Sequence, residues 1–202
     1  MSVLSGMSSV KIGNMALANI GWTGTIESLN EESTEAKQIK LWYDYCRVLT
    51  LDAIDWKFAR KRAALSLSTD DPPDDWGVRY QYPADCIKMR KIVHPMGDTE
   101  DYIEFDVEND DAGTAQTIVT DLEDAVGYYT FNLTQVNQFS APFIEALAWA
   151  IAAKIAFPIT KKRDLKKDCE GNWLATLRIA EATDGNEGVA RKPREAEAVR
   201  GR

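Results

Sequence analysis

The sequence predicts an α+β fold: a mostly helical bundle of about four helices, a small antiparallel β insertion and a flexible C-terminal tail. Three observations carry this. Apolar residues recur at three- and four-residue steps near both ends of the chain, the period drops to two between them, and it vanishes after Thr183. With 202 residues, 45% hydrophobic and 28% charged, the chain is long enough to bury a sizeable core. The same balance excludes a disordered chain, a collagen-like repeat and a disulfide-scaffolded miniprotein. Residues 1–184 read as one domain, with a helical core over 8–60 and 140–183 and the β insertion over about 76–133; residues 185–202 are the tail.

Met7 to Ile20 carries Val10, Ile12, Met15, Leu17, Ala18 and Ile20, a short amphipathic helix closed by Gly21. After a loop over Gly21 to Asn30, a second helix begins near Glu31 to Thr34, where acidic and hydroxyl residues suit the positive end of the helix dipole. Ala36, Ile39, Trp42, Tyr43, Cys46, Leu49, Ala53 and Trp56 form its apolar face, read as core. Lys37, Lys40, Asp44, Arg47 and Asp55 fall largely opposite, and the helix ends around Ile54 to Phe58. Ala59 to Thr69 fits a helix continuation or a strand equally well.

Asp70 to Asp75 reads DDPPDD. Two prolines without amide donors between turn-favouring aspartates make an exposed loop. Alternation then appears at Ile87 and Met89 and at Ile103, Phe105 and Val107, and further strand candidates are Thr117 to Leu122 and Val126 to Leu133. Turn signals sit at Gly97-Asp98 and Ala112-Gly113, giving one sheet of three or four strands. Helix returns at Ser140, a capping residue, with Pro142 tolerated in the first turn and Pro158 ending it. The stretch Ala141 to Ile159 reads as a core helix, too short and too charged to span a bilayer. A fourth helix starts near Lys161, with Leu165, Cys169, Trp173, Leu177 and Ala180 on one face. Gly171 weakens its middle by about 1 kcal/mol relative to alanine.

Cys46, Cys86 and Cys169 lie 40 and 83 residues apart, which is neither a disulfide framework nor a metal knuckle. Reduced, mostly buried thiols are expected. His94, the sole histidine, excludes any scheme needing two. No phosphate-cradling loop, HExxH, GxSxG or CxxC motif occurs, so neither a cofactor nor a metal is expected. The catalytic groups in supply are carboxylates: Glu104 and Asp106 on one strand face, and Asp121, Glu123 and Asp124 at another strand end. Such pairs could serve a glycosidase, but they equally describe the wet face of a half-buried sheet, the favoured reading. The run Glu108 to Asp111 lacks calcium-loop spacing and reads as a turn. The aromatic set Trp22, Trp56, Phe58, Trp76, Tyr80 and Tyr82 lacks flanking basic charge, so packing explains it better than base stacking.

Charge is uneven. The chain carries a net −8, which argues against a protein that coats nucleic acid. From Gly185 onward there are five basic and three acidic residues, a net +2 that leaves −10 on the rest. A coreless basic tail on an acidic body orders only against a partner. Lys161, Lys162, Arg163, Lys166 and Lys167 put positive charge at a helix N-terminus, against the dipole. Contact with an acidic neighbouring subunit or with DNA would favour the cluster; a solvated helix start balanced by Asp164 and Asp168 would also accommodate it.

The segments ALANIG, IESLNEESTEA, DWKFARKRAAL, WGVRYQYPADCIKMRKI and FIEALAWAIAAKIAFPIT follow one another between residues 16 and 160, with the β insertion before the last of them and a final helix after it, a pattern covering roughly residues 10–182. In that order they resemble the head-to-tail adaptor family (tail tubular protein A) of short-tailed bacteriophages, the W-x-F-A-R and Y-P-x-D-C pieces being the more specific. The resemblance implies a virion protein without catalysis, assembled in the host cytoplasm as a homo-oligomeric ring, expected to be a dodecamer. Such a ring sits below the portal, extends the DNA channel and docks the tail nozzle, with double-stranded DNA passing unbound and no membrane contact. C-terminal segments in the family reach the portal, which assigns Arg191, Lys192, Arg194, Arg200 and Arg202 to portal binding. The loop Asp70, Asp71, Pro72, Pro73, Asp74 and Asp75 and the β insertion are candidates for the nozzle side. Two alternatives stand beside this: a cell-wall (peptidoglycan) hydrolase using Glu104 or Asp106, a lytic activity that occurs in the family, and a regulator binding nucleic acid through Lys161 to Lys167.

Overall fold

The structure, a computed structural model, describes residues 6–95 and 103–185. The fold is α+β, with four helices and two small three-stranded antiparallel sheets among the described residues. The chain divides into two compact units. One takes the residues up to Lys61, Ala84–Arg90 and Tyr129–Asp184; the other takes Arg62–Pro83 and Lys91–Tyr128.

The first unit is built on helices. Helix α1 (Ser9–Asn19) starts where the Ser8 hydroxyl accepts the Lys11 N–H at 3.2 Å, and ends before Gly21, whose φ of 72° suits glycine. Asn14 pins the following loop: its amide both donates to and accepts from the Ile26 backbone at 2.9 Å. Helix α2 (Thr34–Ala53) begins as expected beside Ser33, whose hydroxyl accepts the Ala36 N–H. A Cβ added to Gly13 would lie 3.0 Å from Ile39, so glycine there lets α1 and α2 approach closely.

Helix α3 (Ala141–Thr160) receives both α1 and α2, and its alanines and isoleucines are buried along nearly its whole length. By length and apolarity it could cross a bilayer, contrary to the sequence expectation, but most of it is covered by protein. Pro158 does not end it. The proline sits inside the last turn, where it forfeits one helical donor, and the helix stops at Lys161 in the left-handed conformation (φ 61°). Ser140 holds the N-cap position, but its buried hydroxyl makes no capping bond. Helix α4 (Arg163–Gly185) buries Cys169, Leu177 and Ala180 and half-buries Leu165 and Trp173, the face the spacing predicts.

Helix α2 is shorter than its apolar period suggests. Ile54 is extended, and Trp56 turns back so that its indole N–H donates to Thr50 O at 2.7 Å. Trp56 is fully buried among Phe58, Phe139 and Phe143, while Trp42 and Leu49 are half-buried and Ala53 is exposed. Arg90 closes the end of α2: its Nη2 donates to the carbonyls of Leu51, Asp52 and Ile54, groups a helix terminus leaves without partners.

Strands begin earlier than residue 76. β1 (Arg60–Ala64), β3 (Cys86–Val93) and β6 (Val126–Phe131) form one sheet in the order β1-β6-β3, and the boundary between the units runs through these strands. The second sheet lies in the second unit, in the order β2 (Val78–Gln81), β5 (Gln116–Thr120), β4 (Phe105–Asn109), with Val78 and Phe105 both opposite Thr120. The single sheet of the sequence reading is therefore two. Central strand β5 is buried on both faces from Thr117 to Thr120, so alternation was weakest where the sheet is best covered. The Gly97-Asp98 turn lies outside the described residues.

Candidate functional site

The helical unit carries a cavity of about 480 Å³ lined by Trp42 of α2, Lys154, Phe157 and Pro158 of α3, and Arg163 and Lys166 of α4. Three cations and two aromatic rings thus share the lining. The Lys154 ammonium lies 5.7 Å from the Trp42 ring centroid and 5.4 Å from that of Tyr45, and the Arg163 guanidinium lies 5.7 Å from the Phe157 ring. Lys154 also lines a second cavity of about 230 Å³ with Leu49, Trp173 and Leu174. Beside them Leu41, Tyr45 and Val48 form a stripe on α2, with Leu41 64% and Tyr45 53% exposed.

Of the basic cluster predicted at the start of α4, Arg163 and Lys166 enter this cavity. The Lys161 ammonium instead donates to Pro158 O at 2.8 Å, and Lys162 and Lys167 are exposed. Lys166 lies 3.7 Å from Glu170 one turn on, and that exposed pair contributes little to stability. Trp42 and Lys154 were missed as site residues. Helical period alone assigns Trp42 to the core, and the one signal for Lys154 was a lone charge inside an otherwise apolar helix.

The DDPPDD loop is held at its base and bare at its tip. Asp70 accepts the Asp111 N–H at 3.2 Å, and the Trp76 N–H donates to Pro73 O at 3.0 Å. Buried Arg79 bonds Asp111 at 2.5 Å, with Asp70 3.8 Å away; the Asp111 contact holds its guanidinium pKa above the usual range. Asp71, Asp74 and Asp75 are exposed, and among the described residues no ion pair neutralises them.

The run Glu108 to Asp111 is a turn only in its second half: Glu108 and Asn109 end β4, and the chain turns at Asp110 and Asp111, where Asp110 accepts from the backbone and hydroxyl of Thr114, which lowers its carboxyl pKa. Glu104 and Asp106 are exposed and line neither cavity above, and Asp106 spends one oxygen on the Val107 N–H. Asp121 fixes the Gly77 N–H, while Glu123 and Asp124 border a cavity of about 260 Å³ with Tyr80. Among the described residues no three His, Cys, Asp or Glu side chains gather around a possible metal position. Cys46 and Cys169 are buried and Cys86 partly so, all as free thiols; burial pushes Cys46 up to about 12 and Cys169 upward. The aromatic set divides: Trp56 and Tyr80 are core, Phe58, Trp76 and Tyr82 are half-buried, and Trp22 is exposed. Arg191, Lys192, Arg194, Arg200 and Arg202 lie outside the described residues.

Against protein-family models and against curated proteins, the chain finds no match.

Proposed function

We propose that the chain is a structural subunit of a head-to-tail adaptor ring, joining the portal of a short-tailed bacteriophage to its nozzle and extending the DNA channel. The observation that carries this reading is the α2 stripe of Leu41, Tyr45 and Val48 beside the cation-lined cavity. Exposed apolar side chains on one helix, with Tyr45 sharing Lys154 with the pocket, suit a protein interface. The order of the segments from ALANIG to FIEALAWAIAAKIAFPIT, which resembles that family, supports the reading, and an acidic body suits a channel that DNA passes without adhering. The basic C-terminal stretch is assigned to the portal, where contacts repeated around a ring gain by avidity.

The hydrolase alternative has no observation of its own, since Glu104 and Asp106 stand in the open rather than across a cleft. The test is truncation: a chain ending at Asp184 is expected to remain folded but to lose co-sedimentation with the portal ring. Unimpaired binding would remove the tail assignment, and clearing of peptidoglycan by the full chain, abolished by Glu104→Gln, would favour the enzyme.

A further inference from the structure

The cavity is lined by three cations, and the acidic loop presents three carboxylates, those of Asp71, Asp74 and Asp75, that no ion pair neutralises among the described residues. We propose that the Asp70–Trp76 loop of one copy inserts into the Trp42–Lys154–Arg163 cavity of a neighbouring copy, as the contact repeated around the assembly. This rests on the ring reading and names its interface, moving the loop from the nozzle side to the junction between subunits.

The chemistry selects the occupant. A pocket with three cations and two aromatic rings takes a ligand that brings carboxylates and flat apolar groups together. The loop supplies both, with Asp71, Asp74 and Asp75 exposed and Pro72, Pro73 and Trp76 half-buried among them. Two other acidic stretches are committed within the fold: Asp110 to Thr114 and Asp111 to Arg79, and Glu31 to Ser33 and the amides of Glu27 and Ser28. The C-terminal stretch has the cavity's own sign and would be repelled. Two prolines and the anchored Asp70 pre-set the loop, so little chain entropy is lost on insertion. A cavity of about 480 Å³ lies within the roughly 300–1,000 Å³ typical of ligand sites. Donor and acceptor surfaces differ, so the contact is head-to-tail, the kind that generates rings.

Charge reversal tests this. Arg163→Glu with Lys166→Glu makes one variant, and Asp71→Lys with Asp74→Lys the other; all four residues are exposed, and circular dichroism checks that both fold. By sedimentation equilibrium up to about 1 mM, the parent self-associates and each variant alone associates at least about tenfold more weakly. An equimolar mixture of the two variants recovers parental association, because each then meets an opposite charge. Variants that associate like the parent, or a mixture that stays dissociated, overturn the loop-and-cavity contact while leaving the ring reading standing. A parent that stays monomeric both alone and on the portal overturns the ring reading itself. If the Arg163/Lys166 variant loses binding to double-stranded DNA yet assembles normally, the cavity serves a polyanion and the proposal is wrong.

Discussion

Arg47 Nη1 donates to Asn132 Oδ1 at 2.6 Å across 85 residues of sequence, and to Leu133 O at 2.9 Å, tying the middle of α2 to the chain leaving β6. Arg47 is 4% exposed, and its Nε also reaches Asp44. Arg47→Met keeps the aliphatic stem but strands the buried Leu133 carbonyl, while the exposed Asn132 amide can turn to water, so a loss of about 1–3 kcal/mol is expected in denaturant unfolding. Parental stability would show that the bonds are replaced by water.

Trp42 and Trp56 separate by burial. Trp56→Ala empties the fully buried site beside Phe143 and should cost about 3–5 kcal/mol. Trp42 is only half-buried and lines an open cavity, so Trp42→Ala should cost less than half as much. Thermal melts of the two variants side by side decide it; equal losses would mean that Trp42 is core after all.

These contrasts mark what the sequence could carry. Helical period located α1 to α4, because long amphipathic runs meet one core on one side. It misplaced Arg47 on the wet face and Trp56 on the helix, since each is settled by partners distant in sequence: Asn132 for the one, the ring of Phe143 for the other. Strand pairing was legible only locally. Nothing near Val78 announces that it lies opposite Thr120 and shares that neighbour with Phe105, or that Arg60–Ala64 joins β6. Of the site, the cations at the start of α4 were visible as a breach of dipole preference, whereas Lys154 and Trp42 become site residues only once α2 and α3 are side by side.

Asp85 supports an acid-sensitive contact. Its carboxylate accepts Lys61 Nζ at 2.6 Å and the Tyr129 hydroxyl at 3.0 Å, and the Lys61 bond, chiefly, holds its pKa below the ordinary aspartate range. A depressed acid stabilises the fold above its unfolded pKa, about 3.9, and loses that contribution as pH falls through the native value. Asp85→Asn should therefore lower Tm at neutral pH, with the deficit closing in acid. A deficit unchanged from neutral pH into acid would show that the pair is not the source.

The central claim is a ring on a portal, and electron microscopy of the cognate portal mixed with the full chain tests it most directly. The account predicts one additional ring of density, coaxial with the channel and stoichiometric with the portal subunits. Portal particles left bare at saturating protein would contradict it.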